Sequence, residues 1–431
     1  MIVSKFGGSS VSEASQIRKV KKIIESNSER RLIVVSAPGK RNPDDEKITD
    51  LLYRCSSEVE GGSKPKSFKI IRERYTDICN DLGLDDISEI LDEVESGIAS
   101  GKGPDYAASR GEYLSARLLS VFFEAEFIDT AEVIKLTDDG RVEESSYKNL
   151  NDMIKDGEKY IIPGFYGSNS KGEIKTFSRG GSDITGAIAA RATNAEIYEN
   201  WTDVSGLLMS DPRLVDNPGV VKELTYKEIR ELASIGANVF HEEAITPIKD
   251  YNIPINIRNT NDPEADGTMI VTERDASKSP IVGISGKTGY RNIFIEKFML
   301  NRYKGFREKF LSILNKNSIF PEFESTGFDS ISFLARSNQF EMVDNVIKEI
   351  MEKLNPEIIE LRPSLALIGI VGSGLPQQIG VAADVFTALK SRKINIRFIN
   401  YGGSDITLLV GIDSSYYLDA LKTIHNIFGD K

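Results

Sequence analysis

The chain has 431 residues, 40 % apolar and 28 % charged, the balance of a globular protein with room for about three folding units. Its 54 basic and 65 acidic residues leave a net charge of −11, which argues against a nucleic-acid or anionic-membrane surface. Two cysteines, Cys55 and Cys79, exclude a disulfide framework or zinc knuckle, and two distant histidines, His241 and His425, disfavour a histidine-based metal site. No apolar run reaches the ~18–20 residues of a membrane span. The N-terminus enters a strand pattern directly, without a basic leader, so a cytoplasmic protein is expected.

Residues 1 to about 260 alternate strand and helix patterns. Ile2–Phe6 reads as a strand and is followed by Gly-Gly-Ser-Ser. Ile17, Val20, Ile23 and Ile24 then form a helical apolar stripe. Leu32–Val35 is continuously apolar, which suits a central parallel strand covered on both faces. Residues 44–125 favour helices, and Tyr160–Phe165 and Glu196–Trp201 add further strands. This rhythm predicts a three-layer α/β/α domain over 1–280. From Asn259 to Pro280 the composition turns to Asn, Asp, Pro, Glu, Gly and Ser, the expected approach to a domain boundary.

Beyond it the chain repeats itself at an offset of 75 residues. Gly305 pairs with Gly380, Phe310 with Val385, Leu314 with Leu389, Ile319 with Ile394, Phe323 with Phe398 and Ile331 with Ile406. Each copy, 290–362 and 363–431, reads as a ferredoxin-like βαββαβ unit. The second copy ends too soon for its fourth strand, so residues 281–286 are expected to supply it.

Three polar clusters sit at strand-to-helix turns. Lys5-Phe-Gly-Gly-Ser-Ser10 offers a cation, two glycines and two hydroxyls. That pattern suits a phosphate cradle; the plainer reading is a helix N-cap by Ser10. Arg179-Gly-Gly-Ser-Asp183 runs into a small-residue helix. Helix-terminal electrostatics alone account for Asp183, but not for Arg179, which needs a bound anion to offset it. The third is Trp201-Thr-Asp-Val-Ser-Gly206 with Asp211-Pro-Arg213. Two decoys fail. Ser285-Gly-Lys-Thr288 lacks the upstream glycine of a Walker loop and reads as strand and hairpin, and Gly372-Ser-Gly374 is followed by Gln377 where a dinucleotide fingerprint needs glycine.

In this order the clusters resemble the aspartokinase family. The matching stretches are Lys5-Phe-Gly-Gly-Ser-Ser-Val11, Phe177-Ser-Arg-Gly-Gly-Ser-Asp183, Trp201-Thr-Asp-Val204 and Asp211-Pro-Arg213, and the tandem repeats resemble its paired ACT domains. The resemblance implies an amino-acid-kinase fold followed by two ACT repeats, and ATP-dependent phosphorylation of the β-carboxylate of L-aspartate. That reaction opens lysine, threonine and methionine biosynthesis. It further implies Mg²⁺ with the nucleotide, lysine or threonine as an effector at the ACT repeats, and a homodimer or larger homo-oligomer. By the same resemblance, Lys5 and Asp183 are catalytic, and Thr49, Glu112, Phe165, Arg179 and Ser182 bind aspartate. Lys5, Gly7, Gly8, Ser9, Thr202, Asp203, Asp211 and Arg213 would hold ATP. No protein metal ligand is implied. The chain departs from the family at Leu208, at Asn238 and at Pro38; Lys40 is placed to compensate near the phosphates. An ionised carboxylate nucleophile needs no general base, so positioning and electrostatics carry the catalysis. The alternatives are another amino-acid kinase, of glutamate type, and a non-catalytic ACT sensor.

Overall fold

The computed structural model describes residues 1–177, 180–237, 240 and 242–429. They form two compact units. The first comprises Met1–Leu207, Val220–Ala233 and Asn238–Arg274, the second Leu208–Gly219, Ser234–Ala237 and Asp275–Lys431.

Strands of the first unit are β1 (Ile2–Phe6), β2 (Arg30–Val35), β3 (Glu126–Phe127), β4 (Tyr160–Pro163), β5 (Tyr166–Ser168), β6 (Ile174–Thr176), β7 (Ile197–Thr202), β8 (Glu223–Thr225), β9 (Ile255–Asn259) and β10 (Thr268–Val271). Eight of them form one sheet in the order β3-β4-β2-β1-β7-β9-β10-β8, and β5 pairs with β6 apart. From β3 to β9 all neighbours are parallel; β10 runs against β9. Its helices are α1 (Ala14–Glu25), α2 (Ile48–Glu60), α3 (Phe68–Leu82), α4 (Ser88–Ala99), α5 (Pro104–Phe123), α6 (Thr130–Val133), α7 (Ser145–Met153) and α8 (Gly181–Ala192), with α9 (Tyr226–Ile235) ending in the second unit. Side chains alternate across a strand. Accordingly Phe6, Ile33 and Val35 enter the apolar cluster built with α1 to α5, while Lys5 points to the face where α8 packs. The chain leaves β1 for β2 on one side and reaches β7 on the other, a switch point of the kind that opens a crevice at the carboxyl edge of the sheet.

The second unit holds β11 (Gly283–Glu296), β12 (Phe323–Thr326), β13 (Ser330–Arg336), β14 (Ile358–Leu361), β15 (Leu365–Val371), β16 (Ile396–Tyr401) and β17 (Thr407–Asp413). Four helices, α10 (Phe306–Lys316), α11 (Val343–Leu354), α12 (Val381–Ser391) and α13 (Tyr417–Phe428), cover them. Strand β11 serves both repeats. Gly283–Lys287 pairs with β15, in the fourth-strand place of the second repeat, and Tyr290–Glu296 pairs with β13. The register shift falls between Lys287 and Tyr290, where Gly289 takes φ +82. No hairpin forms at Ser285–Thr288, because both halves of the strand find partners and the chain runs straight on. Equivalent repeat positions play equivalent parts: Gly305 and Gly380 are left-handed N-caps, and Leu314 and Leu389 are fully buried.

The polar stretch 259–280 contains β10, and the chain changes unit within it, after Arg274. Leu208–Gly219 lies outside the first unit because Val215, with Met209 and Leu214, packs into the core of the second repeat.

Candidate active site

Strands β1, β2, β4, β7 and β9 end at one edge of the parallel sheet, and the turns leaving them carry the polar residues. Register sets Lys5 of β1 beside Asn200 of β7. Lys5 is only 8 % exposed. Its Nζ lies 2.6 Å from Oδ1 of Asp183 and 3.4 Å from Oδ1 of Asn200, whose Nδ2 donates to the same Asp183 oxygen at 3.0 Å. Asp183 stands in the first turn of α8, where the helix dipole favours negative charge. The Tyr198 hydroxyl donates to its carbonyl at 3.1 Å, and Gly186 leaves room for that ring. An ammonium, a carboxylate and an amide thus form a closed triangle at a helix start. Asn200 escaped the sequence reading because β1–β7 pairing spans nearly 200 residues; its one signal is an amide inside an otherwise buried strand.

The Gly7–Ser9 turn is fixed from both sides. Gly7 N–H donates to the Trp201 carbonyl at 3.0 Å, and Gly39 N–H donates to the Gly8 carbonyl at 2.8 Å. A Cβ on Gly8 would stand 2.9 Å from the Ala37 oxygen, and one on Gly39 would stand 2.8 Å from the Gly8 carbonyl carbon. Neither position can carry a side chain without parting the two loops. The Gly7 amide is therefore committed to Trp201, which removes it from the expected phosphate donors, while the Gly8 and Ser9 amides have no partner among the described residues. Nor does the turn open an α-helix directly. A 3-10 turn, Gly8–Val11, intervenes, and α1 starts at Ala14. Ser10 caps nothing, its Oγ lying 2.8 Å from Oγ1 of Thr260 at the end of β9.

Glu112 lies on α5, 5 % exposed, and its Oε2 has no hydrogen-bond partner among the described residues. Burial pushes its carboxyl up to about 8, against the pull of the Ala37 N–H and the more distant Arg110 and Lys5. Gly111 brings α5 against the loop after β2 and the start of α2; a Cβ there would stand 2.6 Å from that of Ala37 and 3.3 Å from Cγ2 of Ile48. Thr49, the next residue, is half-buried.

Phe165, in the turn after β4, holds φ +79, a left-handed backbone that costs a phenylalanine about 1–3 kcal/mol. Two hydrogen bonds impose it: Phe165 N–H donates to Thr185 Oγ1 at 3.0 Å, and Phe177 N–H donates to its carbonyl at 2.8 Å. Ser182, buried, packs over Gly164, whose absent Cβ would stand 2.6 Å from its Oγ. Thr202 ends β7 and donates to Asp203 Oδ1 at 3.1 Å. Asp211 and Arg213 belong to the second unit and pair with each other at 2.6 Å. Arg179 and Asn238 lie outside the described residues.

A mostly parallel sheet with a lysine, a glycine turn and an acidic helix start at its carboxyl edge is the architecture of a phosphoryl-transfer enzyme. Residues 1–259 match the Amino acid kinase family, and residues 368–428 match an ACT domain. A crystal structure of aspartate kinase from Clostridium acetobutylicum is 45 % identical, with a TM-score of 0.94 and 99 % of this chain and 100 % of that one covered. Aspartokinase 3 of Bacillus subtilis is 36 % identical over 447 residues, 99 % of this chain and 98 % of its own length. E. coli aspartokinase III, solved with aspartate and ADP, shares the fold at 24 % identity, with a TM-score of 0.77 and 99 % of each chain covered. The chain belongs to the aspartokinase family. No described helix is long and apolar enough to cross a membrane.

Proposed function

We propose that this protein transfers the γ-phosphoryl group of ATP to the β-carboxylate of L-aspartate, yielding 4-phospho-L-aspartate and ADP. The observation that carries the reading is a buried carboxylate, Glu112, with one oxygen unpartnered among the described residues, within electrostatic reach of the Lys5–Asp183–Asn200 triangle. A carboxylate oxygen of aspartate attacks the γ-phosphorus. The new O–P bond forms as the bond to the β,γ-bridging oxygen breaks, and ADP leaves with that electron pair. The nucleophile is already ionised, so no proton need move. Lys5 offsets charge on the transferred oxygens, and the Gly8 and Ser9 amides donate to the nucleotide phosphates. Asp183 and Asn200 hold Lys5 in place. Glu112 receives the substrate ammonium and gives up its proton on doing so, and Arg179 clamps the α-carboxylate. Thr49, Phe165 and Ser182 complete the aspartate pocket, and Thr202 and Asp203 the nucleotide side, with Asp211 and Arg213 as further nucleotide contacts. Mg²⁺ would be liganded chiefly by phosphate oxygens and water, with Asp183 as the carboxylate facing that shell, and would neutralise charge on the β- and γ-phosphates.

The ACT repeats make the enzyme answer to a pathway amino acid, lysine or threonine, and the assembly is a homodimer or larger. We assign the effector to a cavity of about 420 Å³ within the second unit, lined by residues of both repeats. Arg362 and Arg397 there suit a carboxylate, and Ser325, Ser330 and Ser332 suit an ammonium. ADP release measured with aspartate, glutamate and N-acetylglutamate tests the substrate. Turnover with aspartate and little with the others is expected; a preference for either competitor, or no turnover with any, contradicts it.

A further inference from the structure

Arg74 belongs to none of the motifs, yet it is among the most buried cations of the first unit. It stands on α3 with its side chain 3 % exposed. A guanidinium so buried would ordinarily meet a carboxylate two-pronged. Here most of its partners are main-chain carbonyls, two from loop 36–46 and one from the segment before α1. Nη2 donates to Gly39 O at 2.7 Å and Ser12 O at 3.4 Å, and Nη1 donates to Glu46 O at 3.0 Å. Its acidic partner among the described residues, Asp45 at 3.1 Å, also accepts from the Arg41 N–H and guanidinium at 3.0 Å each. These neighbours hold the Asp45 carboxyl down to about 2.

Two short hydrogen-bond paths run from this guanidinium to the phosphate turn. The first passes through Gly39, whose carbonyl accepts from Arg74 and whose N–H donates to Gly8 O at 2.8 Å. The second passes through Ser12, whose carbonyl accepts from Arg74 and whose hydroxyl donates to Ser9 O at 3.0 Å. A peptide group is planar and trans, so pinning the Gly8 carbonyl toward Gly39 turns the Ser9 N–H the opposite way. The direction of a candidate phosphate donor is thereby set by a residue two hydrogen bonds away. The same guanidinium holds Glu46, two residues before α2 begins, and so ties down the loop that carries Lys40.

We propose that Arg74 is a positioning residue for phosphoryl transfer, fixing loop 36–46 on the Gly7–Ser9 turn and so aiming the phosphate-facing amides. Lysine cannot replace it, because three donors on one nitrogen cannot reach three carbonyls and a carboxylate set around a plane. This rests on the reading of the Gly7–Ser9 turn as the phosphate cradle.

The test compares Arg74→Lys, Arg74→Ala and Gly39→Ala with the unmodified full-length enzyme by steady-state kinetics, thermal melting and ADP calorimetry, with Lys5→Ala as control. In folded Arg74 variants, kcat/KM for ATP should fall at least thirtyfold and ADP affinity at least tenfold, while KM for aspartate moves less than threefold. Added methylguanidinium should restore activity to Arg74→Ala and not to Gly39→Ala; a residue that only stabilises the fold would show neither the nucleotide-specific loss nor the rescue. If the Arg74 variants do not fold, Gly39→Ala, which parts the same loops with Arg74 intact, must show the same ATP-specific loss. A folded Arg74→Ala with kcat/KM for ATP within threefold of wild type overturns the proposal, as does equal loss on both substrates, or a Gly39→Ala variant with normal ATP kinetics. Near-normal turnover in Lys5→Ala would instead overturn the cradle reading beneath it.

Discussion

Replacing Glu112 by glutamine should make the protein more stable and nearly inactive at once. Burial raises this carboxyl from an ordinary 4.5 to about 8. The folded state therefore holds the proton more tightly than the unfolded chain. Stability from this group is fully present below about pH 4.5 and drains away as pH climbs toward 8. At about 1.4 kcal/mol per pH unit, the toll accumulated by pH 7 is about 3 kcal/mol. Glutamine never ionises and escapes it, less whatever its amide loses by lacking a partner. Glu112→Gln should accordingly melt a few degrees higher at pH 7, and the gain should vanish near pH 4.5. Activity follows the opposite sign. Aspartate binding needs the ionised form, so wild-type kcat/KM for aspartate should rise about tenfold per pH unit up to about 8 and then level. Glu112→Gln should lie flat and roughly 10²-fold lower, having lost a charge-assisted contact of about 3 kcal/mol. Melting curves at pH 5 and 7 with aspartate kinetics from pH 6 to 9 decide it. A lower melting temperature at pH 7 together with an aspartate KM within threefold of wild type would refute both the burial argument and the ammonium role.

Lys5→Ala should fold and lose roughly 10²–10³ in kcat, the usual cost of a preorganised charge stabiliser; near-wild-type turnover in a folded variant removes its phosphate role. The six residues Gly-Gly-Ser-Asp-Ile-Thr occur at 180–185 and again at 402–407, but the first run starts α8 and the second turns between β16 and β17. Asp183→Asn should therefore cost at least tenfold in kcat, while Asp405→Asn, at an exposed turn, should leave it within about twofold; equal losses would dismiss this division. Arg397→Ala should weaken inhibition by lysine or threonine at least fivefold and leave uninhibited kcat within twofold; unchanged inhibition by both would empty the cavity of its assigned role. Arg179→Lys should raise KM for aspartate far more than KM for ATP, since lysine cannot make a planar two-point contact with a carboxylate; matched increases would contradict the clamp.

How far the sequence could be read follows from the range of the forces involved. The continuous apolar run at Leu32–Val35 betrayed a strand buried on both faces, because periodicity is local. The repeat was legible since Gly305 and Gly380, or Leu314 and Leu389, do the same work 75 residues apart. Lys5 and Asp183 were legible as separate motifs, and their 2.6 Å approach is what the fold adds. Asn200, Thr260 and Arg74 stayed hidden because their partners come from distant strands, loops and helices. Asp211 and Arg213 sit beside Trp201–Val204 in the chain, yet Val215 draws their segment into the core of the second repeat. No local pattern marks which core a valine will join.

The identity of the bond made is the most direct test of carboxylate phosphorylation. Aspartate carrying ¹⁸O in its β-carboxylate, turned over with ATP in the presence of hydroxylamine, should give aspartyl hydroxamate and inorganic phosphate bearing one ¹⁸O, seen as an isotope shift in the ³¹P spectrum. Phosphate free of ¹⁸O and no hydroxamate, with ADP still released, would mean that water rather than the carboxylate had taken the phosphoryl group.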